Sequence, residues 1–372
     1  MSKTAALAII FGTRPELIKL SPIIQAASKA GISMKIIHTG QHMELIDDVI
    51  DTFKIKIDIT LTAMNKKQSL DQLTSTIINQ ISPMLIDHDI NMVMVQGDTT
   101  SAFAAALAAF YNAIPVVHIE AGLRSHNNQA PFPEEMNRKM ISQIAQYHFA
   151  PTQTAVSNLN HEGITKNVHL VGNTVIDALF TCTRQQNSAQ VLNRSTIPVV
   201  NSAHKMMLVT CHRRENFGTP FESICKALMQ LAHELNDIEI VFPVHPNPNI
   251  KDVANTLLSH DRIHLIEPVS YPELVALMDQ SHLILTDSGG IQEEAPSLGT
   301  PVLVMRDNTE RPEGISAGTA KLVGTSMDAI IFNVKTLCLD NDAYNAMAKA
   351  VNPYGEGTSS KEILSALFKP SN

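Results

Sequence analysis

Short, almost wholly apolar runs recur along this chain and alternate with longer stretches of helical period. In the first half they fall at residues 5–11, 34–38, 92–96, 116–119 and 148–150. In the second they fall at 206–210, 238–243, 264–266, 283–286 and 301–305. Runs of this length predict buried strands. Strands that alternate with helices predict parallel sheets joined by right-handed crossovers, an α/β fold. The Ala-rich stretch 101–111 predicts a buried helix, and 359–368 a short helix after Pro353-Tyr354-Gly355. Residues from about 183 to 204 are polar and weakly patterned, which sets a boundary nearby. A chain of 372 residues also exceeds what one core usually fills, so two domains are expected.

Composition narrows the class. Hydrophobic residues make up 44% and charged residues 17%, as in a soluble enzyme rather than a disordered chain. The formal net charge of −8 argues against a nucleic-acid partner. Cys182, Cys211, Cys225 and Cys338 show neither C-x-x-C nor zinc spacing, which suggests reduced thiols in a cytoplasm. The run 5–11 is too short for a membrane span and lacks a following cleavage site, so it reads as a first strand.

Asp287-Ser288-Gly289-Gly290-Ile291-Gln292-Glu293-Glu294 joins one apolar run to a helix, the strand-to-helix turn of a β-α-β unit. Two glycines let a ligand approach the backbone, and free N–H groups of a first helical turn favour an anion. Glu294, one turn on, could accept hydrogen bonds from ribose hydroxyls, so a nucleoside diphosphate would use the whole stretch. A tight turn with a capping serine explains the same residues. The first such turn, Phe11-Gly12-Thr13-Arg14-Pro15-Glu16, lacks the G-x-G-x-x-G fingerprint, which weakens a nicotinamide reading. It offers Arg14 and Lys19 as cations near the sheet. Asp98 and Glu120 follow strands, at the ends that face the ligand crevice in open parallel sheets. Glu134 lies in a Pro-bounded loop ahead of a helix. For Asp98 and Glu134 an acid serving the helix dipole is the plainer alternative. His212-Arg213-Arg214 after a strand suggests phosphate contact. Cys211 beside it reads as a core thiol rather than a nucleophile.

Phe11 to Glu16, Gln96-Gly97-Asp98-Thr99-Thr100, His118 to Arg124, Pro133-Glu134-Glu135, Val171 to Asp177, His212 to Asn216, Pro243 to Pro248, Asp287 to Glu294 and Arg306 to Pro312 occur in this order. As an ordered set they resemble the bacterial, non-hydrolysing UDP-N-acetylglucosamine 2-epimerases, from about residue 7 to 368. The resemblance implies two Rossmann-like doubly wound domains facing a cleft, as in GT-B glycosyltransferases. Residues 1–170 with 357–372 would form the first domain and carry the acid and base carboxylates. Residues 171–356 would form the UDP-binding domain. By the same resemblance Arg14, Lys19, Ser288, Gly289, Gly290, Glu294 and Arg311 bind substrate. Asp98, Glu120, Glu134 and His212 form the catalytic group. No cofactor or metal is implied, and a homodimer is. Gln41, His42, Lys67, Glu135, Arg213 and His245 would carry a second, regulatory UDP-GlcNAc site. Lys67 stands where the family more often has Arg, and Lys lacks Arg's planar two-point grip on phosphate. The stretch 269–274, which would flank the uracil, also departs from the family pattern.

The chemistry fits such an enzyme. C2–H of an N-acetylhexosamine is not acidic enough for direct removal. Ionising the C1–O bond builds oxocarbenium character and acidifies it. A base then gives 2-acetamidoglucal and bound UDP, and adding a proton to the other face of C2 while UDP returns to C1 gives UDP-ManNAc. Cations and helix N–H groups would stabilise departing UDP. A GT-B glycosyltransferase would share the nucleotide site but leave the three carboxylates without a shared purpose. A UDP-sugar sensor would bind without exchanging the C2 proton. No residues remain for a kinase half.

Overall fold

The computed structural model describes residues 6–41, 46–64, 68–185, 188–194 and 203–368. The chain divides into two units, Met1–Thr181 with Tyr354–Asn372, and Cys182–Pro353.

In the first unit β1 (Ala6–Phe11), β2 (Met34–His38), β3 (Ile59–Thr60), β4 (Ile90–Gln96), β5 (Val116–Ile119), β6 (Tyr147–Ala150) and β7 (Val168–Leu170) lie in the order β3-β2-β1-β4-β5-β6-β7. All their pairings are parallel. The strand order reverses between β1 and β4. Both are apolar and almost wholly buried there, as central strands covered on both faces must be. The second unit holds β8 (Lys205–Thr210), β9 (Ile238–Pro243), β10 (Ile263–Ile266), β11 (Leu283–Thr286), β12 (Val302–Val304) and β13 (Ala320–Leu322), ordered β10-β9-β8-β11-β12-β13. These pairings too are parallel, and the order reverses between β8 and β11. Each unit is therefore doubly wound, with a crevice expected where the order reverses.

β3, β7 and β13 have no counterpart among the sequence-predicted strands. Each closes an edge of its sheet, is two or three residues long, and leaves Thr60, Leu170 or Lys321 exposed. A strand with one neighbour needs no continuous apolar run, so the signal that marks the central strands is missing.

Helices cover the sheets through apolar faces. The helix Thr100–Tyr111 buries Ala102, Ala104, Ala105, Ala106, Ala108 and Ala109. These small side chains let it pack closely on the helix Leu70–Asp87, which contributes Leu73, Ile77, Ile81 and Leu85. Each such Leu or Ile contributes about 1.5–3 kcal/mol by leaving water. In the second unit Phe221 and Phe242 meet edge to face at 6.2 Å inside a separate core. The helix Ser359–Leu367 belongs to the first unit and packs on the helix Arg14–Lys29. Its first turn is capped from a distance: Ser360 N and Oγ donate to Asp177 Oδ1 at 2.8 and 2.6 Å, and Ser359 N to Oδ2 at 3.2 Å. Among the described residues no helix is long and apolar enough to cross a membrane.

Candidate active site

In the first unit the turns after β1 and β4 stand together because these strands pair. Gly12 makes the closeness possible: a Cβ there would collide with Ser101 Oγ and lie 2.7 Å from Thr39 Oγ1. The second turn carries Asp98 and is held at every residue. Gly97 O accepts from His118 Nε2 at 2.8 Å. Asp98 O accepts from Asn137 Nδ2 at 2.9 Å, and Asp98 Oδ2 pairs with Arg138 Nη2 at 2.7 Å. Thr99 Oγ1 caps the next helix by accepting from Ala102 N at 3.0 Å, and donates to Glu16 Oε1 at 2.7 Å. The helix cap is thus Thr99, and Asp98 is left to its arginine. Burial pushes the His118 imidazole down to about 3, so at neutral pH it has one N–H, which Gly97 O takes.

Glu120 follows β5 with φ of +64°, a left-handed conformation that costs a residue with a side chain about 1 kcal/mol or more. Two donors fix its carboxylate there. Lys19 Nζ reaches Oε2 at 2.5 Å from the helix Arg14–Lys29, and Gln96 Nε2 donates to the same oxygen from the end of β4. Oε1 accepts no hydrogen bond among the described residues. Glu134 is the first residue of the helix Glu134–Ile144, half-buried and without a partner among the described residues. Glu135, by contrast, is fully buried. It accepts from Ser125 N at 2.9 Å and His126 N at 3.2 Å, and lies 3.5 Å from Arg138 and 3.6 Å from Lys139. Arg14 pairs with Asp48 at 2.8 Å. Gln41 Oε1 accepts from Ser101 Oγ at 2.7 Å. His42 and Lys67 lie outside the described residues.

In the second unit the pin of the site is Asp287, wholly buried at the end of β11. It accepts from Arg213 N, Asn216 Nδ2 and His212 N at 2.9, 2.9 and 3.0 Å, and His212 Nδ1 lies 3.1 Å away. Burial would raise this carboxyl, but the His212 and Arg213 donors hold it down to about 2. It therefore stays ionised and fixes the turn after β8 against the turn after β11. The His212 ring stays half-exposed and stacks on His245 at 6.3 Å between centroids.

Ser288 stands at the N-cap of the helix Gly289–Glu294, yet its side chain makes no capping bond, so the capping-serine alternative does not explain the hydroxyl. A Cβ at Gly289 would lie 2.9 Å from Arg311 Cζ, which shows how closely that guanidinium covers the helix start. At Gly290 the nearest atom, Glu294 Oε1, would be 3.4 Å away, an ordinary contact. Arg311 pairs with Glu293 at 2.9 Å. Arg306 pairs with Glu310 at 2.8 Å and Glu215 at 2.7 Å. Glu310, though half-buried, is held at about 2 because its arginine partners outweigh burial. Cys211 is buried, and burial beside Asp287 raises its thiol far out of the reactive range.

Reading the residues in order missed four parts of these sites. Glu16 stands in a T-x-x-E capping box that the reading passed over, and its bond to Thr99, 83 residues away, has no sequence signal. Gln96 and Arg138 gave no signal of their own. Tyr271 Oη donates to Glu294 Oε2 at 2.8 Å, and its stretch stood out for departing from a pattern. Among the described residues no cluster of three or more His, Cys, Asp and Glu is arranged to hold a metal ion.

A family model described as UDP-N-acetylglucosamine 2-epimerase matches residues 25–368. The UDP-N-acetylglucosamine 2-epimerase of Escherichia coli K12 is 46% identical over 364 residues, covering 96% of this chain and 97% of its own. A crystal structure of the Neisseria meningitidis UDP-GlcNAc 2-epimerase bound to UDP-GlcNAc superposes with a TM-score of 0.91 at 45% identity, covering 98% of this chain and all of that one. The Methanocaldococcus jannaschii UDP-GlcNAc 2-epimerase in complex with UDP-GlcNAc and UDP gives 0.80 at 35% identity, covering 97% and 99%.

Proposed function

The chain belongs to the UDP-N-acetylglucosamine 2-epimerase family, and from that premise we propose that it inverts C2 of UDP-GlcNAc reversibly. UDP is eliminated to leave 2-acetamidoglucal and is then added back, giving UDP-ManNAc. The observation that carries this reading is the Glu120 carboxylate. One of its oxygens is held by Lys19 and Gln96, and the other accepts no hydrogen bond among the described residues, which leaves it available to a proton. Asp98, paired with Arg138, and Glu134, which has no partner among the described residues, supply further proton-transfer groups, as inversion through a planar C2 requires.

In the second unit, Ser288, the glycines at 289 and 290, Arg311 and His212 suit the diphosphate, and Glu294 suits the ribose. His212 and Arg311 would counter the charge that develops on UDP as C1–O breaks. Gln41, His42, Lys67, Glu135, Arg213 and His245 are the positions for a regulatory second molecule of substrate. A homodimer is the expected assembly.

The test is incubation with UDP-GlcNAc in deuterated water, with no acceptor, NAD or metal added, followed by NMR at C1 and C2. UDP-ManNAc carrying deuterium at C2 is expected. A product that keeps the original C2 proton overturns the proton-transfer scheme. Absence of conversion until an acceptor is added would instead mean a glycosyltransferase.

A further inference from the structure

Each unit has one buried carboxylate that ties together the two turns where its strand order reverses. In the second unit it is Asp287, which sits in the turn after β11 and accepts from the turn after β8. In the first it is Glu16. Its Oε2 accepts from Gly12 N at 3.0 Å and Thr13 N at 2.7 Å, in the turn after β1. Its Oε1 accepts from Thr99 Oγ1, in the turn after β4.

We propose that Glu16 is a positioning residue for proton transfer at C2: by joining the Gly12–Thr13 turn to the Gly97–Thr99 turn it fixes the placement of Asp98. This rests on the reading of Asp98 given above. Helix capping alone does not account for Glu16. A capping box needs one bond from its acid to the cap residue, and it works on a surface. Glu16 is 2% exposed, and burying a carboxylate is costly unless its hydrogen bonds repay it. Its second oxygen leaves its own helix altogether and engages the residue next to Asp98. Of the four side chains that brace the Asp98 turn, His118, Asn137 and Arg138 approach from β5 and the helix after it. Glu16 alone among them also holds the turn after β1.

A displacement of about 1 Å at a reacting group costs roughly a hundredfold in rate. Glu16→Ala is expected to lower kcat about ten- to a hundredfold, with UDP affinity and the KM for UDP-GlcNAc within about threefold. Thr99→Val cuts the link between the turns and leaves Glu16 on the β1 turn, so it should reproduce the kcat loss even if Glu16→Ala does not fold. Thr99→Ser keeps the hydroxyl and should restore turnover. The decisive measurement adds each change to Asp98→Asn. If Glu16 acts through Asp98, Glu16→Ala and Thr99→Val lower C2 exchange by no more than about threefold in that background. Full multiplication of the losses, or wild-type kcat in both single variants, overturns the proposal and leaves the Asp98 reading standing. Wild-type turnover in Asp98→Asn overturns the Asp98 reading, and the role given to Glu16 goes with it.

Discussion

Burial raises both of two buried acids in this protein, yet they end on opposite sides of their ordinary values, and the charge of their donors decides the outcome. Asp287 faces His212 and several N–H groups and is held at about 2, so the stability it supplies is present above its ordinary 3.8 and lost as pH falls through 2. Burial raises Glu16 from 4.5 to about 7, against hydrogen bonds from Thr99, Thr13 and Gly12 and with no cation beside it among the described residues. Its folded value lies above the unfolded one, so its contribution is complete below pH 4.5 and is lost as pH rises through 7. Urea unfolding should therefore show wild type losing up to about 3 kcal/mol between pH 5 and 8 relative to Glu16→Gln. Equal pH slopes in the two proteins would refute this. At Glu120 the expected effect is on rate. Glu120→Gln should lower turnover about two to four orders of magnitude while UDP affinity changes little, measured by coupled assay and calorimetry. Near-normal turnover would remove Glu120 from the chemistry.

The strand-to-helix turn carries most of the proposed site residues in both units, and in the second unit its glycines have separable surroundings. Gly289 gives Arg311 its place over the start of the helix, because a Cβ would meet the guanidinium carbon at 2.9 Å. Gly290 has room for a methyl group as far as the protein is concerned. Gly289→Ala should thus weaken UDP binding by about tenfold or more, about 1.4 kcal/mol, by displacing Arg311. Gly290→Ala acts only through the ligand's approach to the backbone. Calorimetric titration with UDP separates the two: a Gly289→Ala protein that binds as wild type does would show that Arg311 is not held there for UDP. The turns and the central strands were legible, because each rests on neighbours in sequence. The edge strands β3, β7 and β13 were not, since one-sided pairing demands no apolar run.

The positions proposed for regulation by substrate can each be examined within their own unit. Gln41 and Glu135 lie in the first unit, Arg213 and His245 in the second. The Glu135 carboxylate is already engaged by two backbone N–H groups, so it would contribute to such a site by holding the 125–126 loop rather than by offering a free oxygen. A ligand that binds one conformation better shifts the population towards it. Purified UDP-ManNAc should accordingly turn over with a lag that a trace of UDP-GlcNAc abolishes. Immediate hyperbolic turnover, unchanged in Gln41→Ala and Arg213→Ala, would rule the second site out.

The order of motifs along the chain was enough to give the doubly wound α/β class, the family and the identity of the candidate residues. Apolar runs, turn glycines and local spacing are properties of adjacent residues, and they survive without coordinates. Which oxygen of Glu120 is engaged, which acid caps a helix and which meets an arginine, and which glycine accommodates Arg311 are matters of contact between segments far apart in sequence. Glu16 shows the division plainly. Its bond to Thr13 belongs to a four-residue capping pattern, whereas its bond to Thr99 exists only because β1 and β4 lie side by side.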